Sequence, residues 1–241
     1  MITKTDFSGR TVMITGASGN LGGAVVKKFY KSGSQLILFD RQPDSIKLNM
    51  PEIVSYPERF LLSEVDVTNP GSIEQAVIES LEWSGHIDIL VNTVGGFYSG
   101  KSLHETPVDK LDFMIKLNLY SVFLLCRQVI PIMIDQSFGK IVNIAARPGL
   151  KGSSNSAVYS ASKSGVIRLT ESMAAELKHK GINVNCVIPG TIDTPQNRKS
   201  MPDADYSRWV NPNQIADVIL FLTSDEASAI NGAAIPVYGR S

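Results

Sequence analysis

Thr15-Gly16-Ala17-Ser18-Gly19-Asn20-Leu21-Gly22 follows directly on the apolar run 11–15 and leads into an amphipathic stretch at 20–32. Three glycines at spacing three and three suit a tight turn, a close backbone approach and close helix packing. Strand, glycine turn and helix in that order make the first unit of a layered α/β fold. The helix start would offer free N–H groups and the positive end of its dipole to an anion such as a pyrophosphate. The same eight residues also read as an ordinary glycine-rich turn, so the rest of the chain decides.

Six further short apolar runs, at 35–40, 60–66, 87–92, 140–145, 183–188 and 234–237, are rich in Val, Ile and Leu with little alternation. Such runs predict parallel strands covered on both faces. Helical patterns fall between them at 20–32, 70–84, 107–136, 157–180 and 211–224. Asn69-Pro70, Thr106-Pro107 and Asn211-Pro212 each read as an N-cap followed by proline at the first helical position. The repeated βα order predicts a single-domain, Rossmann-type doubly wound parallel sheet of about seven strands, spanning 1–241. Segments 41–59 and 190–210 read as irregular, and the second is long enough to be a functional loop.

Composition narrows the function. The 241 residues carry 23 Lys plus Arg against 23 Asp plus Glu, a formal net charge of zero. No basic excess points to nucleic acid and no polybasic run to an anionic membrane. The neutral balance permits oligomers. Cys126 and Cys186 have no CxxC spacing, and His86, His104 and His179 are scattered, so neither a disulfide framework nor a metal site is expected. Residues 1–10 lack an apolar signal region, and no apolar run approaches the roughly 20 residues that cross a bilayer. The expectation is a cytoplasmic protein acting on a small molecule.

Candidate site residues lie at the ends of the expected strands. Asp40 comes about 20 residues after the glycines, where a carboxylate can accept hydrogen bonds from an adenosine ribose. A 2′-phosphate there would be repelled, which favours NAD over NADP, while the neighbouring Arg41 softens the discrimination. A solvated strand-end carboxylate is the plainer reading. Asp66, with Val67 beside it, is placed to meet an adenine amino group. Asn92 and Gly95 are expected to face the ribose side. Tyr159 and Lys163 stand at i and i+4 in Tyr-Ser-Ala-Ser-Lys, on one helix face. A lysine ammonium beside a phenol lowers the phenol pKa from about 10 and makes it a usable acid or base.

Taken together, these pieces resemble the short-chain dehydrogenase/reductase family over nearly the whole chain. They are Thr15 to Gly22, Asn92-Thr93-Val94-Gly95, Asn118, Ile141-Val142-Asn143, Tyr159 to Lys163, and Pro189-Gly190-Thr191-Ile192-Asp193-Thr194. The resemblance implies hydride transfer to or from a nicotinamide. It assigns the cofactor to Gly16, Ser18, Gly19, Asn20, Leu21 and Gly22, with Pro189, Gly190, Ile192 and Thr194 near the nicotinamide. It implies that Lys163 bonds the nicotinamide ribose and that Asn118 holds a water of the proton relay. It also implies a homodimer or homotetramer built on the apolar helices 107–136 and 157–180.

Two departures from the family pattern stand out. Its usual serine, 13 positions before the tyrosine, is Ala146, followed by Arg147; a missing donor to a reacting carbonyl is worth very roughly 3 kcal/mol. The glycine spacing is not the common TGxxxGxG. Both features, with Gly95-Gly96-Phe97 and the loop from Asp193 to Trp209, resemble the quinonoid dihydropteridine reductases within the family. That likeness implies a conjugated imine substrate, with Gly96, Phe97, Ala146, Arg147 and Trp209 as candidate contacts. Phe97 and Trp209 read equally as aromatic substrate walls and as loop anchors. A carbonyl reductase or alcohol dehydrogenase that works without the serine is the alternative. A non-catalytic dinucleotide-binding sensor or scaffold is the third.

Overall fold

Seven parallel strands form one sheet in the order β3-β2-β1-β4-β5-β6-β7 in a computed structural model that describes residues 6–240. Met1–Thr5, half of the stretch read for a signal region, and Ser241 lie outside the described residues. The strands are β1 Thr11–Thr15, β2 Gln35–Asp40, β3 Phe60–Glu64, β4 Ile89–Asn92, β5 Gly139–Ile144, β6 Ile182–Pro189 and β7 Ala234–Val237. The helices are α1 Asn20–Lys31, α2 Asp44–Asn49, α3 Glu52–Ser55, α4 Pro70–Ser84, α5 Val108–Ile115, α6 Ser121–Gln136, α7 Arg147–Leu150, α8 Ala157–Leu177, α9 Pro195–Ser200 and α10 Pro212–Thr223.

Alternate residues of each strand face opposite layers, so the run-like apolar pattern fills two cores. Val12, Ile14, Leu36, Leu38 and Val91 face one layer with Val25 and Phe29 of α1 and Ile219 of α10. Met13, Ile37, Leu90 and Val184 face the other, with Val129 of α6 and Val166 of α8. The strand order reverses at β1, which has β2 on one side and β4 on the other. A crevice opens there at the carboxyl ends of the strands.

The expected caps divide. Asn69 Oδ1 accepts from the backbone of Gly71 and Ser72, and Asn211 forms a capping box with Gln214. The 106–107 pair does not act this way: Pro107 itself is the N-cap of α5, with no side-chain cap. Nor is 107–136 one regular helix, because a π-turn at Lys116–Tyr120 separates α5 from α6. Helix α8 ends at Leu177 and continues as a 3-10 turn over Lys178–Lys180. Strand β3 stops at Glu64, so Asp66 lies in the following turn. Segment 41–59 contains α2 and α3, and segment 190–210 contains α9.

The expectation about apolar runs also needs correction. Within Val108–Gln136 an 18-residue window reaches a mean hydropathy of 1.6, enough by length and composition to cross a membrane. In the fold that apolarity serves the sheet: Val122, Leu125, Val129 and Met133 are buried in the core.

The glycine turn holds α1 tightly against β1. Gly16 adopts φ +65°, and a Cβ at Gly22 would stand 2.0 Å from the Gly16 carbonyl oxygen. A Cβ at the next residue, Gly23, would meet nothing closer than 3.7 Å. Gly22→Ala is therefore expected to destabilise the fold by about 2 kcal/mol or more. Gly23→Ala should stabilise it by roughly 0.5–1 kcal/mol, as alanine does in a helix. Urea unfolding of the two variants against the parent measures both signs.

Candidate active site

The crevice is assembled from loops at the carboxyl ends of β1, β2, β4, β5 and β6. At its first wall, α1 begins at Gly19 with no side-chain cap. No side chain competes for its first-turn N–H groups, and a cavity lined by Ser18, Gly19, Asn20 and Gly23 opens beside them. These features fit a dinucleotide pyrophosphate. Asp40, at the end of β2, reaches the same turn. One of its carboxylate oxygens accepts from the Ser18 backbone at 2.9 Å and the Ser18 hydroxyl at 2.7 Å, and the other from Gln42 N–H at 3.0 Å.

Asp66 is exposed, and its carboxylate accepts from the Thr68 N–H and hydroxyl. Those two bonds hold its pKa below the usual carboxylate range, with smaller help from Lys116 and Arg41. Val67 beside it is buried. Asn92 departs from expectation. Its side chain turns inward, donating to Asn143 Oδ1 at 2.9 Å, while Asn143 donates to Thr170 Oγ at 3.0 Å. Asn92 therefore links β4, β5 and α8 beneath the crevice and does not face it.

Lys163 is buried at 4% exposure. Its ammonium donates to the Ile144 carbonyl at 2.8 Å, at the end of β5. Burial pulls its pKa down from 10.5 to about 8. Tyr159 corrects a second expectation: burial pushes its phenol up to about 12. Desolvation of the phenolate is the cause, and the stabilisation expected from Lys163 does not offset it. The Phe97 ring meets the Tyr159 ring edge-on, with centroids 4.9 Å apart.

Asn118 lies within the π-turn, fully buried. It accepts from Gly96 N–H at 2.7 Å and donates to the Gly96 carbonyl at 3.1 Å and Ser162 Oγ at 2.9 Å. Ser162 in turn donates to the Tyr159 carbonyl at 2.8 Å. Asn118 thus ties the 95–97 turn to the helix that carries Tyr159 and Lys163. Gly95 completes this junction: a Cβ there would stand 3.1 Å from both Asn118 Oδ1 and Lys163 Nζ.

Ala146 is buried at 7% exposure, just past β5. Arg147 is exposed and lies over the Tyr238 ring at 5.2 Å. Trp209 is half-buried and packs on Tyr206, with centroids 4.7 Å apart. Pro189 ends β6, Gly190 N–H bonds the Val237 carbonyl, and Ile192 bridges to Val210. Thr194 caps α9 through the Asn197 N–H. Cys126 and Cys186 are buried, and among the described residues no His, Cys, Asp and Glu group could hold a metal.

Three contributors escaped the sequence reading. Thr93 Oγ donates to the Thr15 carbonyl at 2.6 Å and pins the 93–97 turn to β1. Ser162 and Thr170 complete the polar links described above. Ser162 was findable as the i+3 neighbour of Tyr159, whereas Thr93 and Thr170 pair only through tertiary contact.

The family described as short chain dehydrogenase matches residues 10–205. The chain belongs to the short-chain dehydrogenase/reductase family. It is 31% identical over 243 residues to 2-(R)-hydroxypropyl-CoM dehydrogenase of Xanthobacter autotrophicus, covering 95% of this chain and 97% of that one. It is 33% identical over 239 residues to the 3-oxoacyl-[acyl-carrier-protein] reductase of Thermotoga maritima, covering 96% and 97%. The crystal structure of levodione reductase superposes with a TM-score of 0.90 at 30% identity, covering 97% of each chain. This family member is accordingly an NAD(P)-dependent oxidoreductase acting on a small molecule.

The buried Lys163 carries a testable cost. Its folded-state pKa of about 8 lies below the usual 10.5, so the unfolded chain holds more protons between those values. Stability should therefore rise with pH across that window. Lys163→Met removes the buried charge and is expected to stabilise the fold at pH 7 by up to about 3 kcal/mol. The advantage should vanish near pH 10.5. Urea midpoints of both proteins at the two pH values check the sign.

Proposed function

We propose that this chain is an NAD(H)-dependent reductase of a conjugated ring substrate, a quinonoid dihydropteridine or a chemical relative, with Tyr159 as proton donor. The observation that carries the reading is Ala146: a buried methyl stands where the family pattern places a hydroxyl. A conjugated imine takes up hydride and a proton at nitrogen, and generates no alkoxide that would need that hydroxyl. A phenol with a pKa of about 12 stays protonated at pH 7, which suits donation in the reductive direction. The edge-on Phe97 ring gives the proton donor a flat apolar neighbour. The likeness of the 193–209 loop to the dihydropteridine reductases supports the same substrate class.

The nicotinamide supplies the hydride when bound. Around it, the α1 start would hold the pyrophosphate, Asp40 the adenosine ribose, and Lys163 the nicotinamide ribose. Ile192 and Thr194 would meet the carboxamide. Lys163, in turn, keeps a positive charge near Tyr159 and favours the phenolate left after proton transfer. Asn118 acts by holding the 95–97 turn against α8. The enzyme would work in the cytoplasm as a homodimer or homotetramer. Its pairing surface would be the apolar groove lined by Leu119, Tyr120, Phe123 and Leu169.

A carbonyl reductase is the second reading. The names of similar proteins favour it, since 3-oxoacyl and levodione substrates carry ketones.

Asp40 should make NADH bind at least about tenfold tighter than NADPH, a difference of about 1.4 kcal/mol. Fluorescence titration of both cofactors measures it, and equal affinities would remove the ribose role. Ala146→Ser separates the substrate readings. On a quinonoid dihydropterin, kcat/KM should stay level or fall, because an unpaired buried hydroxyl costs about 1–3 kcal/mol. A gain of ~10-fold or more on a ketone, with no parent activity on the pterin, would establish the carbonyl reductase instead.

A further inference from the structure

The glycine turn after β1 and the 190–210 loop after β6 lie at the same carboxyl end of the sheet, and a side-chain bond joins them. Asn20 Nδ2, at the first residue of α1, donates to Gln196 Oε1 in α9 at 2.8 Å. Residue 20 is the position where the common TGxxxGxG spacing places its second glycine, so a typical turn has no side chain to make this bond. Here the glycine has moved to position 19 and the freed position carries an amide.

Gln196 stands on a braced platform. Thr194 caps α9, and Asn197 Nδ2 donates to the Ile192 carbonyl at 2.8 Å. The Arg198 guanidinium donates to both Asp193 oxygens, at 2.6 and 2.8 Å. The same guanidinium lies 4.7 Å from the Tyr206 ring, and the Tyr206 hydroxyl donates to the Pro202 carbonyl at 2.9 Å. The loop is therefore internally stiff, and its displacement from the α1 start has to break the Asn20–Gln196 bond.

We propose that Asn20 and Gln196 form a clasp across the cofactor crevice, and that this clasp slows the release of NAD(H). The proposal rests on assigning the crevice to the dinucleotide. Both residues are positioning residues: they hold the 190–210 loop over the bound pyrophosphate and do no chemistry. A single neutral surface hydrogen bond is modest, so its removal should speed dissociation about threefold to tenfold.

The test is a double-mutant cycle on the rate of NADH dissociation, measured by stopped-flow fluorescence. Asn20→Ala and Gln196→Ala should each speed release by about that factor, and the double variant should be no faster than either single. Thermal midpoints should stay within about 2 °C, since both side chains are exposed. The exchanged pair, Asn20→Gln with Gln196→Asn, conserves both amides and the total reach, and should restore slow release. Unchanged rates in the single variants, additive effects in the double, or no rescue by the exchange would each overturn the clasp. If neither NADH nor NADPH binds the parent protein, the crevice assignment fails and the clasp falls with it. The parent titration therefore tells that failure apart from failure of the clasp alone.

Discussion

A lysine ammonium out of water is the constraint around which the crevice is arranged. Lys163 lies at 4% exposure with its charge against the Ile144 carbonyl. Such burial disfavours the charged form, and the fold tolerates it only by fixing α8 to the end of β5. Once that contact is made, the i−4 spacing brings Tyr159 onto the same face. The Asn118 bridge then sets the 95–97 turn over both. The cost in stability is of the kind that active sites carry elsewhere.

The sheet supports this arrangement from below through polar groups in an otherwise apolar layer. Asn92, Asn143 and Thr170 form a chain of side-chain hydrogen bonds across β4, β5 and α8. A buried polar network that is nearly satisfied gives the layer one register, because a shifted strand would strand its amides. The π-turn at Lys116–Tyr120 has a related effect. By widening one turn it places Asn118 toward Gly96 while α6 continues to pack on the sheet.

The chemistry of the crevice is set by desolvation more than by pairing. Burial raises the Tyr159 phenol to about 12 and lowers Lys163 to about 8. Both shifts favour the neutral forms, as expected for groups withdrawn from water. Ala146 adds no donor to this wall, so the hydroxyl of Tyr159 is the proton-bearing group on which the proposed reduction depends.

The strand runs, the glycine turn, the Asn69 and Asn211 caps and the Tyr159–Lys163 pair were legible in the sequence. Each depends on local periodicity or on residues within one turn of each other. The doubly wound parallel class followed from the repeated βα units and the handedness of their crossovers, while the order of the seven strands came from the structure. What the tertiary structure decided was direction and environment. Asn92 points into the core because Asn143 stands beside it in register on β5. Tyr159 titrates upward because the surrounding layers remove water, a quantity no spacing encodes. Trp209 packs on Tyr206, and Arg147 lies on Tyr238 from the far end of the chain. Asn20 meets Gln196 across 176 positions, a contact that exists only once the two crevice walls have been brought together.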